Sequence, residues 1–251
     1  RSAAIHLHDL SMLTGYCAGW SLKQLIQEGL GGVPGKITSS PAGHLSTLCN
    51  QMVNFLGIMQ NEWAGAQAFS SFDTYLAPFV KVDNLTQKEV KQCIQSFIYG
   101  VNTPSRWGTQ APFSNITLDW TCPADMYDRP AIVGGKEMDF TYGDCKKEMD
   151  MVNKAFIEIM IEGDANGRGF QYPIPTYSIT RNFDWSETEN NKLLFEMTAK
   201  YGTPYFSNYI NSDMEPSDVR SMCCRLRLDL RELRKKSGGF FGSGESTGSI
   251  G

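Results

Sequence analysis

Several absences bound what this chain can be. No run of about 18 or more apolar residues occurs, so the sequence offers no membrane-spanning helix. No Cys-x-x-Cys pair occurs, and only three histidines, His6, His8 and His44, stand among 251 residues, so the usual spacing of zinc ligands is missing and no metal site is expected. No long run carries one sign of charge. The 23 basic and 27 acidic residues leave a net charge of −4, which points away from nucleic acid or an anionic membrane as partner. The stretch Arg1-Ser2-Ala3-Ala4-Ile5-His6 has neither signal-peptide nor transit-peptide character, so a cytoplasmic location is expected and the sequons at Asn84 and Asn115 carry no weight. Internal repeats and a linker that would divide the chain are absent too.

What is present suits a folded α/β protein. A 41% hydrophobic and 12% aromatic composition is enough for a sizeable core. Ala3 to Leu10 reads as a strand, with Cys17 just beyond it. The glycine-rich stretch Gly29 to Gly35 leads to Ser40 as N-cap and Pro41 at the first helical position. Leu45, Leu48, Cys49, Met52, Leu56 and Met59 then recur at helical steps and mark one buried face. Thr86-x-x-Glu89 is a capping box for a helix with Val90, Ile94, Phe97 and Ile98 inward. Phe113 to Trp120 alternates as a strand. A helix from about Asp144 stops near Gly163, and Gln171 to Thr180 is the next strand. Ser186-x-x-Glu189 predicts another capped helix ending near Gly202, followed by a strand from Tyr205 to Ile210. This alternation with long connections predicts parallel strands with helices packed outside.

Most chemical motifs have an ordinary reading. Gly163-Asp164-Ala165-Asn166-Gly167-Arg168-Gly169 follows a helix and lacks the Lys-Ser/Thr of a phosphate loop, so it reads as a helix-to-strand turn. Glu158 and Glu162 share a helical face, the usual mark of a solvated surface. Gly242-Ser243-Gly244 is only a degenerate hydrolase elbow with no histidine after it. His6 and His8, two residues apart on a strand, point to one face and could line a site. Seven cysteines make no disulfide framework, and most read as reduced core residues. The exception in pattern is Arg220-Ser221-Met222-Cys223-Cys224-Arg225, whose adjacent thiols could bind a metal, form a vicinal disulfide or present one sulfur to a substrate.

Several segments in order resemble the anaerobic (class III) ribonucleoside-triphosphate reductases of the glycyl-radical superfamily. They are Ile5 to Leu10 with Cys17, Gly43-His44-Leu45-Ser46-Thr47, Gln60 to Phe69, Tyr172 to Tyr177, Pro204 to Ser212, Arg220 to Arg225, and Thr247-Gly248-Ser249-Ile250-Gly251. The resemblance implies an α/β fold that is part of a ten-stranded α/β barrel: a parallel five-stranded half plus a finger loop, with helices outside. It implies that Cys224 at the loop tip becomes the thiyl radical and that Cys17 lies on the first barrel strand as its working partner. Met222, two residues before Cys224, agrees with the formate-using branch. Ser249 stands where many formate users have Asn, so the resemblance leaves formate or a thioredoxin-like protein as reductant. Cys223 matches no family role and is read as a buried or spectator thiol that could line the site.

Further expectations come from the same resemblance. The substrate is a ribonucleoside triphosphate, ATP and deoxynucleotides act as effectors, the enzyme is a homodimer, and a radical-SAM activase installs the glycyl radical. Residues 1–251 are expected to be a partial catalytic barrel domain, with any ATP-binding cone before Arg1 and the glycyl-radical segment with its zinc-binding cysteines beyond Gly251. Such a piece is expected to be inactive alone. Two other readings follow: an acyl-transferring glycyl-radical lyase, which also uses adjacent cysteines on the finger loop, or one assembly half of a split reductase.

Overall fold

A computed structural model describes residues 15–31, 35, 37–103, 111–216 and 247–250. The strand expected at Ala3 to Leu10 lies outside them, as do His6, His8, Met222, Cys223 and Cys224. The first described strand, β1 (Gly15–Trp20), contains Cys17 rather than preceding it. In chain order it is followed by α1 (Leu22–Glu28), α2 (Leu45–Met59), β2 (Gln67–Phe69), α3 (Phe72–Val82), α4 (Gln87–Asn102), β3 (Ser114–Leu118) and α5 (Ala124–Tyr127). A hairpin of β4 (Pro130–Val133) and β5 (Lys136–Thr141) comes next. Then follow α6 (Lys146–Glu162), β6 (Ile174–Ile179), α7 (Glu189–Tyr201), β7 (Tyr205–Asn208) and β8 (Thr247–Ile250).

Five strands run parallel in the order β7-β6-β3-β2-β1, and β8 closes on the outer edge of β1 antiparallel to it. This is the parallel α/β arrangement that alternating elements produce. Register fixes the two faces of the sheet. Trp20, Phe69, Ile116, Leu118, Tyr177 and Ile179 share the face that packs into the main core with residues of α1 to α4, α6 and α7. The opposite face carries Cys17, Gly19, Ala68, Asn115, Thr117, Thr176, Ser178 and Ser207, which are small or polar, with Ile174 and Tyr205 as its larger residues toward the far edge.

Local sequence explains most boundaries. Thr86 caps α4 with its hydroxyl accepting from the Glu89 N–H while the Glu89 carboxylate accepts from the Thr86 N–H, the expected capping box. Gly163 (φ 77°) and Gly202 (φ 66°) end α6 and α7 in positive-φ conformations that glycine adopts without strain. Two expected caps move. Helix α2 starts at Leu45 behind His44, because Ser39 and Ser40 are drawn back by the Leu30–Ser39 bridge and by the Gln51 side chain, which donates to Ser39 Oγ and Ser40 O. For α7 the cap is Thr188, whose hydroxyl accepts from Asn191 N, while Ser186 N donates to Asp184 in a separate turn.

Candidate active site

Cys17 is the one sequence-derived site residue whose side chain is described, and the sheet treats it unusually. Its residue is 8% exposed and packs with Ala66 and Tyr16, apart from the main core. On one side the chain after α2 is laced to β1: Ala64 N donates to Gly15 O at 3.0 Å, Gly65 N to Tyr16 O at 2.6 Å, and Ala18 N to Ala66 O at 3.0 Å. On the other side the register with β8 slips. Gly15 pairs with Ile250 and Ala18 with Gly248, so Tyr16 and Cys17 together face the single residue Ser249. Such a β-bulge bends the strand and re-aims a side chain, and bulges concentrate beside active sites. Cys17 and Ser249, far apart in sequence, are thus brought to one place by the backbone.

The motif Gln60 to Phe69 builds the wall around this strand. Trp63 stands edge-on to Trp20 at 5.6 Å, and a Cβ at Gly15 would come within 2.8 Å of the Trp63 ring. Trp20 Nε1 donates to Gln67 Oε1 at 3.0 Å, tying β1 to β2 from the helix side. The sequence reading used this motif for the resemblance and gave its residues no roles.

A second feature was missed altogether. Asp73, in the first turn of α3, is fully buried and accepts four hydrogen bonds, from Thr74 N, Asp119 N, Trp120 N and Asn153 Nδ2, at 2.8 to 3.1 Å. Tyr177 Oη donates to Asn153 Oδ1, so β6, α6, α3 and the end of β3 meet in one network. Burial pushes the Asp73 carboxyl above the ordinary carboxylate range, and the four donors oppose that shift. Trp120, held by Asp73, takes a left-handed φ of 64°, which turns the chain sharply after β3. Thr74 Oγ1 donates to Asp119 Oδ2 at 2.6 Å. The legible signal was an aspartate inside the apolar run from Phe72 to Val80.

Past that turn, at the carboxyl ends of β3 and β6, a cleft of about 300 Å³ is lined by Asp119, Thr121, Cys122, Ser178, Thr180 and Glu215 among others. Ligands of open parallel sheets bind at this end. The carboxylates of Asp119 and Glu215 would repel a triphosphate and suit hydroxyl or amino donors.

The remaining described thiols are poor nucleophiles. Burial pushes Cys122 and Cys145 up to about 12, and raises Cys49 and Cys93 as well, so all four stay protonated. No cysteine among the described residues is in a disulfide. Glu158 and Glu162 both pair with Lys91, at 3.0 and 2.6 Å, as a surface cluster. The Gly163–Gly169 stretch is a turn, with Asp164 Oδ1 accepting from Asn166 N and Arg168 N. Among the described residues no group of three or more His, Cys, Asp or Glu could hold a metal ion, and no helix is long and apolar enough to cross a membrane.

Residues 1–251 match the family model for anaerobic ribonucleoside-triphosphate reductase. The chain belongs to this family. No curated protein matches it. Among solved structures, the anaerobic ribonucleotide reductase from Thermotoga maritima with citrate in the active site is 21% identical at a TM-score of 0.64, covering 93% of this chain and 45% of that one. The same Thermotoga maritima enzyme with dATP bound in the specificity site is 20% identical at 0.65, covering 93% and 43%. A third structure, described as an anaerobic ribonucleotide reductase, is 22% identical at 0.63, covering 88% and 35%. At these identities the likeness is one of fold. The chain spans less than half the length of the reductases it matches.

Proposed function

We propose that this chain forms part of the catalytic barrel of an anaerobic ribonucleoside-triphosphate reductase. It would convert ribonucleoside triphosphates to 2′-deoxyribonucleoside triphosphates for DNA synthesis in the cytoplasm. The observation that carries the reading is the bulge that sets Cys17, on the small-residue face of a parallel five-stranded sheet, opposite Ser249. Strand β8 runs antiparallel on the edge of β1, which supports a second half-barrel continuing from it and a ten-stranded whole.

In this reading Cys224 is the thiyl carrier and Cys17 its partner. An S–H bond is close in strength to the ribose C3′–H bond, so a hydrogen atom can pass either way. The Cys224 sulfur radical takes the 3′ hydrogen, becoming a thiol and leaving a carbon radical, and returns it at the end. The Cys17 thiol gives the proton with which the 2′-hydroxyl leaves as water and regains a proton from solvent, while C2′ takes up a hydrogen as the substrate radical is reduced. The two electrons of the net reduction come from formate, oxidised to carbon dioxide, or from a thioredoxin-like dithiol, oxidised to its disulfide. Met222 favours formate, while Ser249 departs from the formate-using pattern. Cys223, His6 and His8 are candidates for lining the same site.

The glycyl radical, installed by a radical-SAM activase, would supply the oxidising equivalent that Cys224 carries. Among the described residues no group of His, Cys, Asp or Glu could hold the family zinc. Effector binding and homodimerisation are carried over from the family. The dATP bound in the specificity site of the Thermotoga maritima enzyme supports nucleotide effectors. The test is Cys17→Ser in the full-length enzyme with activase and reductant. Loss of deoxynucleotide formation is expected. Undiminished reduction would sink the reading, and acyl transfer in place of reduction would favour the lyase.

A further inference from the structure

We propose that Gly65 is a positioning residue for the Cys17 thiol, kept as glycine by the sulfur and by the strand that bears it. This rests on Cys17 being the working thiol of the reaction proposed above. Glycine is commonly required where φ is positive. Gly65 is outside that set, so its backbone would accept an L-residue. Space is what forbids one. A Cβ at position 65 would lie 2.9 Å from Cys17 Sγ and 2.7 Å from the Tyr16 carbonyl oxygen, both inside the 3.0 Å that real Cβ contacts essentially never cross.

The backbone around Gly65 has little freedom to retreat. The hydrogen bonds from Ala64, Gly65 and to Ala66 hold this segment against β1 along three consecutive residues. Ala66, 1% exposed, packs with Cys17 in the same small cluster. The sulfur turns on a single side-chain torsion, whereas the Tyr16 carbonyl is fixed by the ladder. A methyl group at position 65 therefore displaces the sulfur by rotation and also presses on the Tyr16 carbonyl, so that the strand bearing the thiol and the 64–66 segment must part slightly. Hydrogen and proton transfers depend on reacting atoms held near contact, and a shift on the order of 1 Å can lower the rate about 100-fold.

The contrast with Gly15 separates this role from ordinary packing. At Gly15 the three atoms nearest an added Cβ all belong to the Trp63 ring, at 2.8 to 3.0 Å. Both glycines serve close approach along the same strand, but only Gly65 abuts the thiol.

The experiment uses Gly65→Ala in the full-length reductase, in the native and the Cys17→Ala backgrounds. In the native background kcat for ribonucleoside triphosphate is expected to fall about 10- to 100-fold while KM stays within about 2-fold. In thermal unfolding, Gly65→Ala is expected to lower the midpoint less when Cys17 is alanine, because the 2.9 Å contact is then gone. Folding only in the Cys17→Ala background would support the proposal equally. An unchanged kcat, a joint change of kcat and KM, equal drops in midpoint, or failure to fold in both backgrounds would overturn it. The unfolding cycle reports packing and not chemistry. Full activity of the Cys17→Ala single variant would thus reject the reductase reading while leaving the contact itself measured.

Discussion

The two faces of the five-stranded sheet share one backbone and are built to opposite rules. Toward the helices stand Phe69, Ile116, Leu118 and Tyr177, all fully buried among large apolar neighbours. Toward the other side stand Cys17, Gly19, Ala68, Asn115 and Ser207, buried as well but small or polar. Burial alone therefore does not distinguish core from site. Side-chain volume and chemistry do: the helix face gains free energy from apolar area, and the other face keeps room and hydrogen-bonding groups at its expense.

The comparison breaks most visibly if a residue of one face behaves like the other. Cys17→Ser in the full-length enzyme is expected to lower deoxynucleotide formation by a factor on the order of 10³ or more, yet to change stability by only about 1 kcal/mol. Comparable losses of stability and activity would place Cys17 with the core. Phe69→Ala should show the reverse in chemical denaturation, a loss of about 3–5 kcal/mol from the cavity it leaves. A loss under about 1 kcal/mol would remove the basis for calling that face the stabilising one.

Asp73 ties the helix layer to the end of β3. Asp73→Ala leaves three backbone N–H groups and the Asn153 amide without their acceptor, and a loss of about 3 kcal/mol is expected in the same assay. Its charge also gives a pH signature. A buried carboxyl whose folded-state pKa is raised stabilises most below its ordinary value of 3.8. That contribution declines as pH rises from 3.8 through the raised value, so denaturation midpoints of Asp73 variants should lack this fall. Glu89 has the opposite sign and the smallest effect. Its hydrogen bonds from Thr86 lower its pKa below 4.5. The capping-box stability is present above 4.5 and is lost as pH falls through the lowered value. Thr86→Ala should flatten that acid limb, and an unchanged pH profile would show the box to be inert.

How much of this was legible depended on whether the signal was local. The stripe Leu45 to Leu56, the Thr86 box and the stops at Gly163 and Gly202 are local patterns, and each stands where the sequence put it. Helix α3 was hidden because Pro78 lies inside it and Asp73 interrupts its apolar run. The β4–β5 hairpin turns on Gly134 and Gly135, both at positive φ, a signal present in the sequence and passed over. Ser40 and Ser186 looked like caps because they are cap-forming residue types, but other hydrogen bonds had claimed both stretches, those of Leu30 and Gln51 for Ser39–Ser40 and a local turn with Asp184 for Ser186. Cys17 stood out in the sequence as a thiol just beyond a strand, but only the resemblance gave it a role. Gly15-Tyr16-Cys17-Ala18-Gly19-Trp20 has no alternation to reveal its faces, and the bulge that singles out the thiol exists only once β8 is paired.

That pairing has a kinetic consequence. With β8 on one side and β2 on the other, β1 is an interior strand, so exposing Cys17 by fraying would require breaking two ladders at once. Amide exchange at Ala18 should then track opening of the sheet as a whole rather than the faster breathing of an edge. The thiol proposed to work beside a radical would thereby be exposed to solvent and stray oxidants only when the sheet itself opens.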